Sequence, residues 1–592
     1  MFNRSNSKKL MSLLLVVVLT LAMQVPAFAD WISFQNDQTN NGVITGTAPT
    51  TSNPSVDPVS LNNTGSWTGV NAESVIKNGK AYTVYNAGSA GARLAITDLS
   101  NASAVDVLLD SKANNVSQLS APYIKTINGE DIVFAGTSYE TEVLNISSFT
   151  GWTPSGSVTI DTNGKATFNG TGNISGSLNI AKTSNTLNVQ TGLNLDTASN
   201  ATYKIELYDG TNTYELVPAG TAIAAGGYGT YYTYNGETIP AGSYTATISV
   251  IPTGGTVSGS TFYLGGYGWQ LNIVTDLNGT PTSSIAQFTK SNGLSSLNPK
   301  DVSGEGQINT PISYDDEYIY FGIWGGTHSY YQYKYNEANP GNGTLNHFKP
   351  AVSTSQSGFD DFYNAGAYSD GINVYFGSDS AFIYKQPVNN FWSSSGTKRD
   401  LGSTQANAGQ MRSTIAFDGD ALYFTSKGTG ATGYLWQMDP ITFTATAPIQ
   451  LAGNSTSTPV ISANGYVYTG WYKYDPNIFQ TVGGVQAVKT NNFVGDPINI
   501  YGDGSTGGDP VQASPIVYSD TTPEEEIDYI YFTTNSGNGA GYGYMYDIEG
   551  EDIGEIWSEE GTSGNNYAPQ GFAADNGYLV YGDNGSYLYI IK

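Results

Sequence analysis

The sequence predicts an all-β fold: an eight-bladed β-propeller with a β-sandwich or jelly roll inserted in its second blade. Three observations predict it: a repeated hairpin phrase, a spacing typical of four-stranded blades, and one interval too long for a blade. The phrase is clearest at Thr458–Gly470, where a proline and an apolar pair precede an Asn-Gly turn and an alternating strand. Asn-Gly between apolar runs is the strongest short-range hairpin signal, because both residues tolerate positive φ.

The phrase recurs seven more times, with starts near Ala72, Ala121, Thr310, Ala365, Ser413, Ser514 and Ala568. With Thr458 included, successive starts lie 49, 189, 55, 48, 45, 56 and 54 residues apart by subtraction. Six of the seven intervals fit a blade of roughly 40–50 residues, so eight blades are predicted, with seven as the alternative. A sandwich of similar hairpins is the other alternative, which the shared period disfavours because blades bury their faces against neighbouring blades.

The last copy ends at Lys592, directly after its third strand. The N-terminal segment Trp31-Ile32-Ser33-Phe34 is therefore predicted to supply the fourth strand, which would close the ring and hide two exposed strand edges. Residues 43–66, with three prolines, are interpreted as a turn-rich linker into the first blade.

The 189-residue interval exceeds a blade by about 140 residues and contains its own short alternating strands, separated by Gly and Asn turns. We therefore predict propeller residues 30–139, an inserted sandwich at 140–273 and the rest of the propeller at 274–592. Inserting a domain into a surface loop costs little chain entropy. In outline the insert is similar to carbohydrate-binding modules.

The segment Trp31-Ile32-Ser33-Phe34-Gln35-Asn36-Asp37, followed by Gly42, resembles the opening of quinoprotein-like (PQQ-like) propeller proteins. The hairpin phrase and the Gly-x-x-Trp ending at Trp557 also resemble blades of that family. The resemblance covers about three quarters of the mature chain. It implies the fold and says little of the chemistry, because the family includes both dehydrogenases and structural or scaffolding members.

For a dehydrogenase, the resemblance implies PQQ held between a tryptophan and a ring of two adjacent cysteines, with calcium and a catalytic aspartate. The chain has no cysteine, so PQQ is not expected. The two histidines, His328 and His347, match no zinc or triad motif, and no catalytic residue is predicted. Acidic turns such as Asp315-Asp316-Glu317 leave calcium binding open, at an unknown site.

Residues 1–29 are interpreted as a secretory signal peptide, with a basic start, an apolar run and Ala27-Phe28-Ala29 before Asp30. We expect a secreted bacterial protein, extracellular or associated with the cell envelope, with no transmembrane segment after cleavage. The mature chain has 50 acidic residues against 20 basic ones (23 minus three in the signal). A nucleic-acid partner is therefore excluded, since it would need a basic patch.

Aromatic residues give the one positive site signal. They crowd a Gly-rich loop of the insert and its last strand, and aromatic rings suit stacking on sugars. The predicted glycan-binding residues are Tyr228, Tyr231, Tyr232, Tyr234, Tyr267 and Trp269. A second set in blade three, which includes Trp324, Tyr330 and Tyr331, is interpreted chiefly as blade core.

The sequence thus favours a non-catalytic secreted or cell-surface propeller, a scaffold or adhesin whose insert binds an extracellular glycan or a surface protein. Two alternatives remain: an extracellular enzyme acting on polysaccharide, and a structural subunit of a surface layer or filament. The Tyr- and Gly-rich surface with only 12% charged residues would suit self-association.

Overall fold

The computed structural model describes residues 30–62, 69–111, 119–180, 184–223, 230–290, 306–325, 329–348, 361–392, 396–503, 507–522, 525–535, 540–560, 568 and 570–592. The predicted signal peptide lies outside these residues. The described residues form strands and four 3₁₀ turns, at Gly88–Ala90, Val388–Asn390, Leu401–Ser403 and Thr490–Asn492, and contain no α-helix. None of their helical segments is long and apolar enough to cross a membrane.

The all-β propeller prediction is confirmed. Eight sheets besides the second sheet of the insert follow one another in the described chain and are numbered blade 1 to blade 8. Five of them are four-stranded, the sheet of blade 5 has five strands, and the sheets that contain blades 2 and 3 have six each. Strand β1 (Val56–Ser60) belongs to the last blade. Blade 1 contains β2 (Val75–Lys77), β3 (Lys80–Asn86), β4 (Ala92–Asp98) and β5 (Ser103–Asp110). Blade 2 begins with β6 (Tyr123–Ile127) and β7 (Glu130–Ile146).

The insert follows β7. Its strands are β8 (Thr153–Ile160), β9 (Ala166–Ile180), β10 (Ser184–Thr191), β11 (Asn194–Leu195), β12 (Asn200–Tyr208), β13 (Thr213–Ala222), β14 (Thr230–Ile239), β15 (Gly242–Thr253) and β16 (Val257–Gly259). Blade 2 then resumes with β17 (Phe262–Thr275) and β18 (Thr282–Ile285).

The remaining blades keep the same strand order. Blade 3 contains β21 (Ser313–Tyr314), β22 (Ile319–Trp324), β23 (Tyr330–Asn336) and β24 (Asn339–Phe348), extended by β19 (Gln287–Lys290) and β20 (Gln307–Ile308). Blade 4 contains β25 (Tyr368–Ser369), β26 (Asn373–Gly377), β27 (Phe382–Pro387) and β28 (Thr397–Asp400). Blade 5 contains β29 (Ala416–Phe417), β30 (Leu422–Lys427), β31 (Gly433–Asp439), β32 (Thr444–Ala445) and β33 (Ile449–Leu451).

The last three blades complete the ring. Blade 6 contains β34 (Val460–Ile461), β35 (Tyr466–Asp475), β36 (Gln480–Lys489) and β37 (Ile498–Tyr501). Blade 7 contains β38 (Ile516–Thr522), β39 (Glu525–Thr533), β40 (Ala540–Asp547) and β41 (Asp552–Glu560). Blade 8 contains β42 (Ala573–Asp575), β43 (Tyr578–Gly582), β44 (Tyr587–Ile591) and β1, and its β42 packs against β2 of blade 1.

The closing strand differs from the prediction. β1 pairs antiparallel with β44 from Val56↔Ile591 to Ser60↔Tyr587, so residues 56–60 supply the fourth strand of blade 8. This stretch falls in the segment interpreted as a linker, whose prolines hid the strand. Pro58 is tolerated because β1 is an edge strand, where one N–H can face away from the sheet. The segment Trp31–Phe34 has another role.

Residues 31–47, which we call the channel arc, run along the innermost strands and meet the blades in chain order. The backbone oxygen of Trp31 accepts from Ile76 N of blade 1, and that of Ile32 accepts from Ile124 N of blade 2. Ile32 also packs into the apolar cluster that blades 2 and 3 share. The arc therefore begins on the wall of the channel and is not an outer strand.

The second half of the arc contacts the remaining blades. The Asn40 side-chain amide donates to Ala367 O of blade 4 (2.7 Å) and to Ile415 O of blade 5 (2.9 Å). Asn41 exchanges hydrogen bonds with Ile461 of blade 6. Ile44 N donates to Val517 O of blade 7, and Thr47 O accepts from Gly577 N of blade 8. One short segment thus bonds to the blades on both sides of the closure.

Hydroxyl residues that open the repeats link successive blades. Gly366 N donates to Thr414 Oγ1, Thr414 N to Thr458 Oγ1, and Thr458 N to Ser514 Oγ, at 3.2, 3.0 and 2.9 Å. Each acceptor is small and sits where two inner strands approach closely. These bonds explain why the phrase starts with a small, often hydroxylated residue.

The insert shares a sheet with blade 2. β7 and β17 pair without a break in strand, from Val133↔Val274 in the blade to Ile146↔Phe262 in the insert. β10 and β14 extend this sheet, and a second sheet of β8, β9, β11–β13, β15 and β16 packs on it around a core that includes Phe168, Ile205 and Ile248. The predicted boundaries at 139/140 and 273/274 fall inside strands, because two blade strands simply continue outward.

We expect Asn40→Ala to destabilise the ring, because two buried carbonyls of adjacent blades lose their donor. Each lost hydrogen bond contributes about 1 kcal/mol. For a chain of this size the thermal midpoint should fall by about 2 °C, measured by circular dichroism. Asn491→Ala, at an exposed asparagine, is the matched control. Equal midpoints for the two variants would show that the arc is dispensable.

Candidate functional site

Antiparallel strand order brings three kinds of connection to the same end of the propeller. The segment before strand 1, the link from strand 2 to strand 3 and the segment after strand 4 all lie at that end of each blade, because strand direction alternates. We call this end the channel-mouth face. It carries the insert, which links strands 2 and 3 of blade 2, and the hairpin of β35 and β36, which links strands 2 and 3 of blade 6. Blades 2 and 6 are four apart in a ring of eight, so the two lie on opposite sides of the channel.

A cavity of about 60 Å³ opens at the centre of this face. Its lining includes Phe34 of the channel arc and residues that lie just before the inner strands of several blades. Side-chain amides dominate the polar lining: Asn71, Asn309, Asn364, Gln512 and Gln570. Glu73 is the one ionisable side chain among the described residues that line it. The arc therefore contributes to the lining of a mostly polar cavity, which we call the cup.

Glu73 is 1% exposed and is held by the channel arc. Its Oε1 accepts from Gln35 N at 3.0 Å, and its Oε2 accepts from Gln35 Nε2 at 3.2 Å. Burial raises the pKa of Glu73 to about 8, although the Gln35 hydrogen bonds and the Trp31 indole act in the opposite direction. No cation offsets the loss of hydration, so desolvation dominates. The carboxyl is therefore largely protonated at neutral pH.

Gln35 reaches Glu73 because the arc bends there. Gln35 and Asn36 have φ of 53° and 81°, in the left-handed region that few non-glycine residues adopt. Gly42 lies against the Gln35 carboxamide, where a Cβ would collide with it. Packing against Gln35 therefore explains why a glycine occupies position 42.

A second polar cluster lies on the same face between blades 3 and 6. The Arg412 guanidinium makes two hydrogen bonds to the Asp379 carboxylate, Nε–Oδ1 at 2.9 Å and Nη2–Oδ2 at 2.7 Å, and sits 4.5 Å from the Tyr363 ring centre. The Trp324 ring meets Tyr363 edge-on at 5.4 Å. Burial raises the pKa of Asp379 despite its arginine partner. This paired charge holds the connections of blades 4 and 5 together.

The β35–β36 hairpin extends well beyond the part of β35 that pairs with β34. Its strands pair over ten residues, from Tyr466↔Lys489 to Asp475↔Gln480, whereas β34 pairs only with Val467 and Tyr468. Near its tip Tyr474, Ile478 and Phe479 are 56%, 51% and 77% exposed. Exposed apolar side chains grouped in this way are typical of contact surfaces.

Two of the predicted glycan-binding residues lie in the core. Trp269 is 1% exposed, with its ring centre 5.1 Å from Phe321 and 5.0 Å from Tyr331. Tyr234 is 7% exposed and its hydroxyl donates to Glu237 O. Because alternate strand residues face opposite sides, both point inward and neither offers a stacking surface.

The other predicted residues keep their status as predictions. Tyr232 is half-buried on β14, at the edge of the insert core. Tyr228 and the side chains of Tyr231 and Tyr267 lie outside the described part of the structure. In blade 3, Tyr330, Tyr331, Tyr333 and Tyr335 are buried, as interpreted from the sequence.

The cavity does not fit PQQ, a quinone that carries several carboxylates. No cationic side chain is among the described lining residues to pair with the cofactor's carboxylates. Within the described ranges, no three His, Cys, Asp or Glu side chains group as metal ligands. His328 lies outside those ranges. Calcium binding by acidic turns stays a prediction.

Sequence reasoning missed Glu73, Gln35 and Arg412. A signal for Glu73 was present. Five of the eight repeats place proline after the small opening residue, as in Thr458-Pro459, whereas the first repeat has Ala72-Glu73. Glutamate at position 73, where five of the eight repeats have proline, therefore distinguishes this position from its equivalents in the other repeats. Arg412 and Tyr363 had no such signal, because their contact joins different blades.

Comparison with known proteins gives structural likeness alone. No family model matches the chain, and no curated protein matches it. Among solved structures it is similar to the Dos1 propeller (TM-score 0.33, 10% identity, 55% of this chain and 75% of that one). It is also similar to BamB from Moraxella catarrhalis (0.28, 11%, 55% and 91%) and to the WD40 domain of Toxoplasma gondii coronin (0.32, 14%, 55% and 75%).

Glu73 makes stability depend on pH. Its folded pKa of about 8 exceeds the ordinary value of 4.5, so the folded state binds more protons between these values and stability falls as pH rises from 4.5 to 8. We expect Glu73→Gln to melt higher than the wild type at pH 8.5 and at the same temperature near pH 4.5. Glu549→Gln, at an exposed turn, is the control. Parallel melting curves across pH would contradict the assignment.

Proposed function

We propose that the protein is a non-catalytic secreted or cell-surface propeller of the quinoprotein-like kind, acting as a binding scaffold. Its insert binds a glycan or a protein partner, and self-association is compatible with its low-charge surface. The signal-like segment at 1–29 supports the extracellular location. The proposal extends the confirmed propeller fold to a location and a class of ligand.

One observation carries this proposal. The β7–β17 ribbon runs from blade 2 into the insert with thirteen residue pairs and one register shift, between Leu264 and Gly265. A hydrogen-bonded ribbon resists bending far better than a flexible linker. The insert is therefore held at a fixed position above the channel-mouth face, opposite the β35–β36 hairpin. Fixed spacing between two contact elements is what a scaffold requires, since pre-organisation lowers the entropy lost on binding.

One face of the insert carries charged side chains that pair with one another. The outer face of its second sheet carries Lys204, whose ammonium contacts Glu206 and Glu215 at 2.6 and 3.2 Å. These three charged side chains form ion pairs with one another on the surface of the insert. Tyr232 pairs with the buried Val189 of β10 and packs on the insert core, so its ring faces between the two sheets. We infer that glycan contacts lie instead at the Gly-rich loop before β14, where the sequence has Tyr228.

We expect residues 30–592 to bind polysaccharides on a glycan array, with Tyr228→Ala, in the Gly-rich loop where the sequence predicts glycan contacts, lowering the signal several-fold. A stacked aromatic ring contributes about 1 kcal/mol or more, which is the size of that loss. The control is Tyr208→Ala, which replaces an exposed tyrosine on the second sheet of the insert and should bind like the wild type.

A flat array would remove the glycan part of the proposal. Incubation with each bound polysaccharide should release no reducing sugar. Release that a single carboxylate substitution abolishes would replace the scaffold by an enzyme.

A further inference from the structure

We propose that the channel cavity binds a primary ammonium group, the lysine side chain of a basic protein partner. The inference rests on the proposed scaffold function and names the chemistry of one contact. It is carried by a buried carboxyl, by uncharged acceptors around it and by the size of the cavity.

The carboxyl has capacity for a further donor. A carboxylate offers about four acceptor positions, and Gln35 uses one on each oxygen of Glu73. A Cβ placed on Gly571 would lie 3.0 Å from Glu73 Oε2 and 2.5 Å from Ser514 O. These two acceptors therefore lie near each other beside Gly571, which like them lines the cavity. An ammonium carries three donors and no acceptor, which suits such a cluster.

The size of the cavity selects a compact head group. About 60 Å³ holds an ammonium with its last methylenes or a few waters. A guanidinium is planar and needs a flat fork of acceptors, whereas an ammonium is a point charge with rotatable donors. Phe34 contributes an aromatic ring to the lining, and cations bind favourably over aromatic faces.

Charge favours a basic partner as the source of this group. The chain has 50 acidic and 23 basic residues, a formal net charge of −27. Such a charge attracts cationic proteins over long range and raises their rate of encounter. Inside the cup, Glu73 is the sole ionisable group among the described lining residues, and the groups that face it are the Gln35 amide and the Trp31 indole. A lysine would therefore meet one acid and no competing cation.

The test uses residues 30–592 and titration calorimetry with a short end-blocked peptide that contains one lysine. Bound ammonium requires ionised Glu73, so binding at pH 7 should release close to one proton, seen by comparing buffers of different ionisation enthalpy. With a Glu73 pKa of about 8, binding at pH 8 should be about 50-fold tighter than at pH 6. The same peptide with an acetylated lysine should not bind.

Glu73→Gln should abolish binding, and Glu549→Gln should leave it unchanged. Butylammonium, the free-amine probe, should bind more weakly than the peptide, and equal binding would overturn the protein-partner assignment. Peptide binding without proton release, or binding that survives Glu73→Gln, would overturn the site. The wild-type proton release decides the question even if a variant fails to fold. A flat glycan array leaves these results unaffected, so the two proposals fail separately.

Discussion

The bonding of the channel arc to the inner strands is the constraint on which the rest of the structure depends. A propeller ring needs its first and last sheets held together, and here β1 of the N-terminal region completes blade 8 beside β44. The arc that precedes β1 reaches inner strands from blade 1 to blade 8, through Trp31 at one end and Thr47 at the other. Ring closure and channel filling are therefore achieved by the same 30 residues, 31–60.

The same arc creates the chemistry of the channel mouth. Phe34 lines the cavity, and Gln35 donates hydrogen bonds to Glu73 from both its backbone and its side-chain amide. Glu73 is buried in this contact, and burial raises its pKa. A buried acid with neutral donors is costly when ionised, and a cation that enters the cavity relieves that cost. The structural element that stabilises the ring thus also makes the site responsive to charge.

Much of the fold was predictable because the repeats are local. The Asn78-Gly79, Asn128-Gly129 and Asn576-Gly577 turns do have positive φ at both residues, as a hairpin of this type requires. The closing strand was not predictable, since Pro58 and the polar residues around it carry no strand signal. The insert was found by its length. The sheet that it shares with blade 2 was not predicted, because the sequences of β7 and β17 look like ordinary strands at the start and the end of the insert.

The sequence by itself determined the propeller, its repeat spacing, its acidity and the absence of the cysteines that a quinone site of that family would use, since all of these are local or compositional. Only the tertiary structure decided which aromatic side chains are buried, such as Trp269 between blades 2 and 3. It also decided that Glu73 and Gln35, 38 residues apart, form one site. The physical reason is that burial and pairing depend on contacts between blades, whereas turns and strand periodicity depend on neighbours in the chain.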